Sequence, residues 1–140
     1  FGDHLQSHIE KGGQILGHNL FGFDLPVLRD SLDCWAAGDI MQKKDAVIDT
    51  KNLVSSASLS KGKIETNLQA LVSQTLGKSK SMKSVDAPLA WREGKFTEVA
   101  EYCLKDAKLT YDLFLHGRDT GIVKLRSLES GDIMEIEVDW

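Results

Sequence analysis

Apolar side chains at positions 1, 5 and 9 recur at the spacing of one helix face, so residues 3–11 read as an amphipathic helix that Gly12 and Gly13 stop. Residues 14–19 are short, apolar and bounded by glycine, as a buried strand is. The next helix is one that Asp24 can cap or open, with Pro26 in its first turn and Leu25, Leu28 and Leu32 as its inward stripe. It ends near residues 36–38. Residues 46–49 form a second strand candidate, and Asp49 with Thr50 offers a cap for residues 51–55, which suggests βαβ alternation. Residues 55–63 are rich in Ser, Lys and Gly and predict a mobile surface loop. A helix is expected over 67–76, with Leu68, Leu71, Val72 and Leu76 inward and Gly77 closing it. Residues 79–88 lack periodicity and predict a loop, whereas 97–115 carry the longest helical pattern, with Thr97 and Glu98 in its first turn. The tail alternates over 122–126 and 133–138 around a turn at 129–132, the pattern of a β-hairpin. The fold class expected from this order is α/β.

A chain of 140 residues with 41% hydrophobic content has the length of one ordinary domain and enough apolar material for a core. Its net charge of -4 argues against nucleic-acid binding by bulk electrostatics, but leaves room for a local groove in which metal ions supply the positive charge. Cys34 and Cys103 stand far apart with no C-x-x-C spacing, so neither a disulfide framework nor a thiolate zinc site is expected. A reducing cytoplasm fits this usage, and no apolar run of membrane-spanning length or leader pattern is present. A soluble cytoplasmic protein is expected. The chain opens at Phe1 rather than Met, inside a helix-spaced run, which predicts a fragment of a longer domain.

Two groups of residues carry candidate chemistry. Tyr102 and Asp106 lie four apart in a helical pattern, so a phenol and a carboxylate project from one face, one turn apart. Far upstream, the apolar strand candidate runs into Gly17-His18-Asn19-Leu20-Phe21-Gly22-Phe23-Asp24-Leu25-Pro26, where polar groups gather at a strand end. Each has a plainer alternative. Asp24 can be a helix cap, Asp49 most simply is one, His18 can bond locally and Asn19 can fix the turn. Phe23 can be core, and Tyr102 with Asp106 can be a half-buried tyrosine and a solvated acid. Cys103 and Leu104 read as packing. Between residues 61 and 83 five lysines, at 61, 63, 78, 80 and 83, face one acid, Glu65; they form either a phosphate-tracking patch or a solvated loop face. Gly77-Lys78-Ser79 is not a P-loop, because the required glycine falls at Val72.

Taken together, the motifs resemble those of the DEDD superfamily of 3′-to-5′ exonucleases on the ribonuclease H-like fold, of the kind with tyrosine in the third motif. The stretch from Gly17 to Pro26 is similar to the second exonuclease motif of family B DNA polymerases, with the N-x-x-x-F-D core intact. Tyr102-Cys103-Leu104-Lys105-Asp106-Ala107 is similar to their third, Y-x-x-x-D. Asn67 to Val72 with Leu76-Gly77-Lys78 is similar to the helix and loop that follow the central strand. The likeness covers roughly residues 1–116 and depends on the order and separation of motifs that are individually short. The tail after Gly117 is more like the end of exonuclease domains that accompany helicases in bacteria.

The resemblance implies an incomplete ribonuclease H-like domain over residues 1–118, followed by a hairpin extension over 119–140. It implies phosphodiester hydrolysis with two Mg²⁺ or Mn²⁺ ions about 4 Å apart. Asp24 and Asp106 are then metal ligands, and Tyr102 orients the attacking water. His18, Asn19, Phe21, Lys78 and Lys80 contact the nucleic acid. The family's first motif, D-x-E, supplies two further carboxylates and is expected upstream of Phe1, so the fragment is expected to be inactive alone. Implied partners are a single-stranded 3′ end, DNA rather than RNA, a fused or associated helicase, and a second copy meeting an open sheet edge. The competing expectation is a nuclease-fold module that holds single-stranded nucleic acid or a helicase partner without cutting.

Overall fold

A computed structural model describes residues 1–79 and 86–140 and divides the chain into two compact units, Phe1–Ser56 and Ala57–Trp140. The first unit begins with helix α1, Gly2–Glu10, and strand β1, Ile15–Gly17. A five-residue π-helical turn, Leu20–Asp24, leads into α2, Leu25–Ser31, and α3, Trp35–Gln42. Strand β2, Val47–Asp49, then returns parallel to β1, with Ile15 opposite Val47, Leu16 opposite Ile48 and Gly17 opposite Asp49. A parallel pair needs a crossover, and here the π turn and two helices supply it. Ala36, Ala37 and Ile40 of α3 are fully buried, and the small alanines let α3 approach both α1 and α2.

One helix was expected where two form. The predicted helix ends at Ser31, because Asp33 takes a left-handed conformation (φ 48°) and the Cys34 N–H closes onto the Leu28 carbonyl at 2.9 Å. Residues 36–38 therefore lie inside α3, and Leu32 points outward at 67% exposure instead of completing the stripe begun by the buried Leu25. Helix α4, Thr50–Ala57, follows β2, and a 3₁₀ turn at Leu59–Lys61 comes next. The stretch 55–63 is thus partly helical, with Ser58 buried and its carbonyl accepting the Lys61 N–H at 2.9 Å. A polar composition hid hydrogen-bonded turns there.

In the second unit, α5, Leu68–Leu76, starts where Asn67 Oδ1 accepts the Ala70 N–H at 2.9 Å and ends at a left-handed Gly77. Residues 80–85 of the expected 79–88 loop lie outside the described residues, and Ala87–Arg92 is a short helix, α6, with proline in its first turn. The long pattern becomes α7, Phe96–Thr120, a single helix of 25 residues. Strands β3, Ile122–Arg126, and β4, Ile133–Glu137, pair antiparallel with Val123 opposite Ile136 and Leu125 opposite Met134. Alternation then decides the faces. Val123, Leu125 and Ile136 are buried, while Lys124 and Glu135 pair on the outer face at 3.5 Å.

Strand β3 packs on α5 and α7, Phe114 of α7 stacks on Trp140 at 5.9 Å, and the hairpin belongs to the same compact unit as these helices. The architecture is mixed α/β, with one two-stranded parallel sheet and one two-stranded antiparallel sheet among the described residues. No described helix is long and apolar enough to cross a membrane.

Candidate functional site

In the first unit the chemistry gathers where the parallel strands end, because side-by-side strands bring His18 and Asn19, after β1, next to Asp49, the last residue of β2, and Thr50 and Lys51 after it. Asn19 adopts a left-handed conformation (φ 71°), which asparagine tolerates better than most residues. The π turn then folds back over it. A side chain at Gly22 would begin 2.5 Å from Asn19 Oδ1, so glycine lets the turn close over Asn19 without pushing that side chain aside.

Asp49 secures this turn from the neighbouring strand. Its Oδ1 accepts the Asn19 N–H at 2.8 Å, and its Oδ2 accepts the Phe21 N–H at 3.1 Å. Oδ1 also accepts the Lys51 N–H at 3.1 Å and the Asn52 N–H at 3.4 Å. The expected helix cap is therefore present, and the same carboxylate holds the motif 28 to 30 residues upstream. Thr50, fully buried, donates its hydroxyl to the Gly17 carbonyl at 3.2 Å. With that proton used, the hydroxyl is the acceptor in its 3.0 Å contact with His18 Nδ1, which makes Nδ1 the donor of the pair. Lys51 Nζ donates to Asn19 Oδ1 at 3.2 Å.

Asp24 makes no side-chain cap to α2, so helix capping does not explain it. Its proton affinity is raised. Its residue surface is exposed, yet desolvation of the carboxyl is the leading cause; its own backbone N–H pulls the other way, and the negative charge of Asp49 adds to the rise. Such a carboxylate suits a hard cation, whose charge offsets both the desolvation and the like-charge neighbour. Asp49 is less available, since each of its oxygens already accepts backbone N–H groups. Among the described residues no group of three or more His, Cys, Asp or Glu gathers to hold a metal ion.

In the second unit Tyr102 and Asp106 lie one turn apart in the uninterrupted helix α7, with Tyr102 buried and Asp106 half-buried. The Asp106 carbonyl accepts the Thr110 hydroxyl at 2.9 Å. Cys103 and Leu104, expected as packing, are exposed on another face, Leu104 at 72%. A helix that buries one stripe leaves the residues 100° and 200° around it outside.

The remaining candidates divide. Phe21 is partly buried against the first unit's core, whereas Phe23 is 61% exposed and does not serve as core. Lys78 Nζ is bonded to Asp112 at 2.7 Å, and Lys108 reaches the same carboxylate at 2.9 Å. These two hydrogen-bonded cations hold the Asp112 carboxyl below its ordinary range. Of the lysine cluster, 61 and 63 are exposed, and 80 and 83 lie outside the described residues. Sequence reasoning missed Thr50, Lys51 and the second role of Asp49. Their signal was available in the βαβ pattern itself, which sets the ends of its two strands side by side. Comparison with protein-family models, with curated proteins and with solved structures gives no match to this chain.

Proposed function

We propose that this chain carries the second and third motifs of a DEDDy-type 3′-to-5′ exonuclease domain of ribonuclease H-like fold. The observation that carries the reading is Asp24. It ends the π turn that follows β1, does not cap its helix, and is an exposed carboxylate whose proton affinity is raised in part by the charge of Asp49. The one-turn spacing of Tyr102 and Asp106 on α7 supports it independently.

In this proposal Asp24 and Asp106 are the carboxylates that hold Mg²⁺ or Mn²⁺, which supplies an activated water and stabilises the leaving 3′-oxygen. Tyr102 hydrogen-bonds and orients the water. His18, Asn19 and Phe21 line the approach of the strand end, with the Asp49 bonds keeping their backbone in register. The substrate class is a single-stranded 3′ end, DNA before RNA. A helicase is the partner class, and the D-x-E carboxylates come from outside these 140 residues. The two-stranded parallel sheet has an open edge that a further strand, or a second copy, can extend.

The test is cleavage of 5′-labelled DNA and RNA strands by the complete protein that carries this chain, with Mg²⁺ or Mn²⁺ and with EDTA. Metal-dependent shortening from the 3′ end is expected. Asp24→Asn and Asp106→Asn should each lower kcat on the order of 10²-fold or more, as removal of one preorganised stabiliser does. Tyr102→Phe should lower kcat more than it raises KM. Strand binding without cleavage under any metal condition would replace the enzyme by a non-cutting nuclease-fold module.

A further inference from the structure

We propose that Lys51 is a phosphate-contacting residue for the nucleic-acid strand that ends at Asp24. The inference rests on the exonuclease reading for the identity of the ligand, and on the geometry for the choice of residue. Lys51 stands in the first turn of α4, just past the C-terminal end of β2, on the side of the sheet where the motif after β1 also emerges. Its ammonium crosses to Asn19 Oδ1 at 3.2 Å and so stands over the turn that leads to Asp24.

The charge of Lys51 is the unusual part. Elsewhere the lysines that make described polar contacts do so with acids: Lys78 and Lys108 with Asp112, Lys95 with Glu93, and Lys124 with Glu135. The partner of Lys51 is a neutral amide oxygen, although Asp49 is two residues away, because Asp49 is occupied by the N–H groups of Asn19, Phe21, Lys51 and Asn52. A half-buried ammonium whose described acceptor is the neutral amide oxygen of a left-handed Asn19 is placed to exchange that acceptor for a phosphate oxygen. Such a contact also explains how an acidic chain can hold a polyanion at this edge. The sequence pattern pointed instead to Lys78, whose ammonium is held by Asp112.

The test is fluorescence anisotropy of a labelled oligo-dT strand with the full chain in EDTA, over a series of salt concentrations, for wild type, Lys51→Ala, Lys51→Gln, Lys51→Arg and Lys78→Ala. Lys51→Ala and Lys51→Gln should each weaken binding about 3- to 10-fold at low salt. Each should lower the slope of log affinity against log salt by about 0.7, the value for one phosphate contact on a single strand. Lys51→Arg should keep both, and Lys78→Ala should leave the slope unchanged. Gln can still donate to Asn19, so wild-type binding by Lys51→Gln would make Lys51 a local brace and overturn the proposal. Binding that is normal in every Lys51 variant overturns this inference alone, and failure of the wild-type chain to bind any strand overturns it together with the nucleic-acid reading. A lost slope in a protein that never cleaves upholds Lys51 and removes only the cleavage chemistry.

Discussion

The two compact units spend their polar groups in opposite ways. In the second unit charged side chains lie on outer faces and pair there, as Lys124 does with Glu135, while Val123, Leu125 and Ile136 fill the inner face. Local pattern and tertiary role agree at nearly every position of that hairpin. In the first unit the buried polar groups cluster at one edge of a three-residue strand pair, around a left-handed Asn19, a π turn and a carboxylate of raised proton affinity. Regions where local rules are strained and the strain is held by specific bonds are where function concentrates, and this contrast is why the candidate site is placed at the strand ends.

The contrast can be broken most forcefully from the second unit. Leu71→Ala removes a fully buried side chain from α5, and its unfolding free energy should fall by about 2–5 kcal/mol, measured by denaturant titration. The Asp49 bonds of the first unit should be untouched in any folded fraction. A loss well under that range would mean that Leu71 does not sit in a close-packed core.

Asp49→Ala should cost less in stability and more in order at the site. It leaves the N–H groups of Asn19, Phe21, Lys51 and Asn52 without their carboxylate, which should lower stability by about 1–3 kcal/mol where water does not replace it. Amide hydrogen exchange should accelerate at Asn19 and Phe21 while β3 and β4 stay protected. Unchanged exchange at those two amides would show that the turn holds itself and that Asp49 is only a helix cap.

The smallest expected effect has the most diagnostic sign. Asp24 binds its proton more tightly folded than unfolded, so ionising it destabilises the fold. The loss develops as pH rises from the unfolded carboxyl value near 3.9 through the higher folded value, and is complete above it. Asp24→Asn should therefore be more stable than wild type at neutral pH, by about 0.5 kcal/mol or less after solvent screening, with the difference vanishing below the unfolded value. Thermal melts at neutral and acid pH check this. A variant less stable at neutral pH would make Asp24 a structural residue and remove the unfavourable ionisation on which the site assignment depends.

Much of this was readable in the residues themselves. The stops at Gly12 and Gly77, the period of α5 and α7, the alternation of the hairpin, and the one-turn spacing of Tyr102 and Asp106 all arise from a few neighbouring side chains and backbone geometry. The break at Asp33, which separates α2 from α3 and turns Leu32 outward, was not readable. A left-handed aspartate costs little locally and is chosen by how the following alanines pack.

The sequence by itself determined which segments are helices and strands in most of the chain, and which side chains carry acid, phenol or ammonium chemistry. Tertiary structure alone decided that Asp49 serves two turns at once, that Lys78 is held by Asp112 while Lys51, among the described residues, meets an amide oxygen, and that the Asp24 side chain does not cap its helix. Secondary structure follows from interactions a few residues apart. Partners 28 to 34 residues apart are chosen only when the crossover sets one strand end beside another, or one helix beside the next.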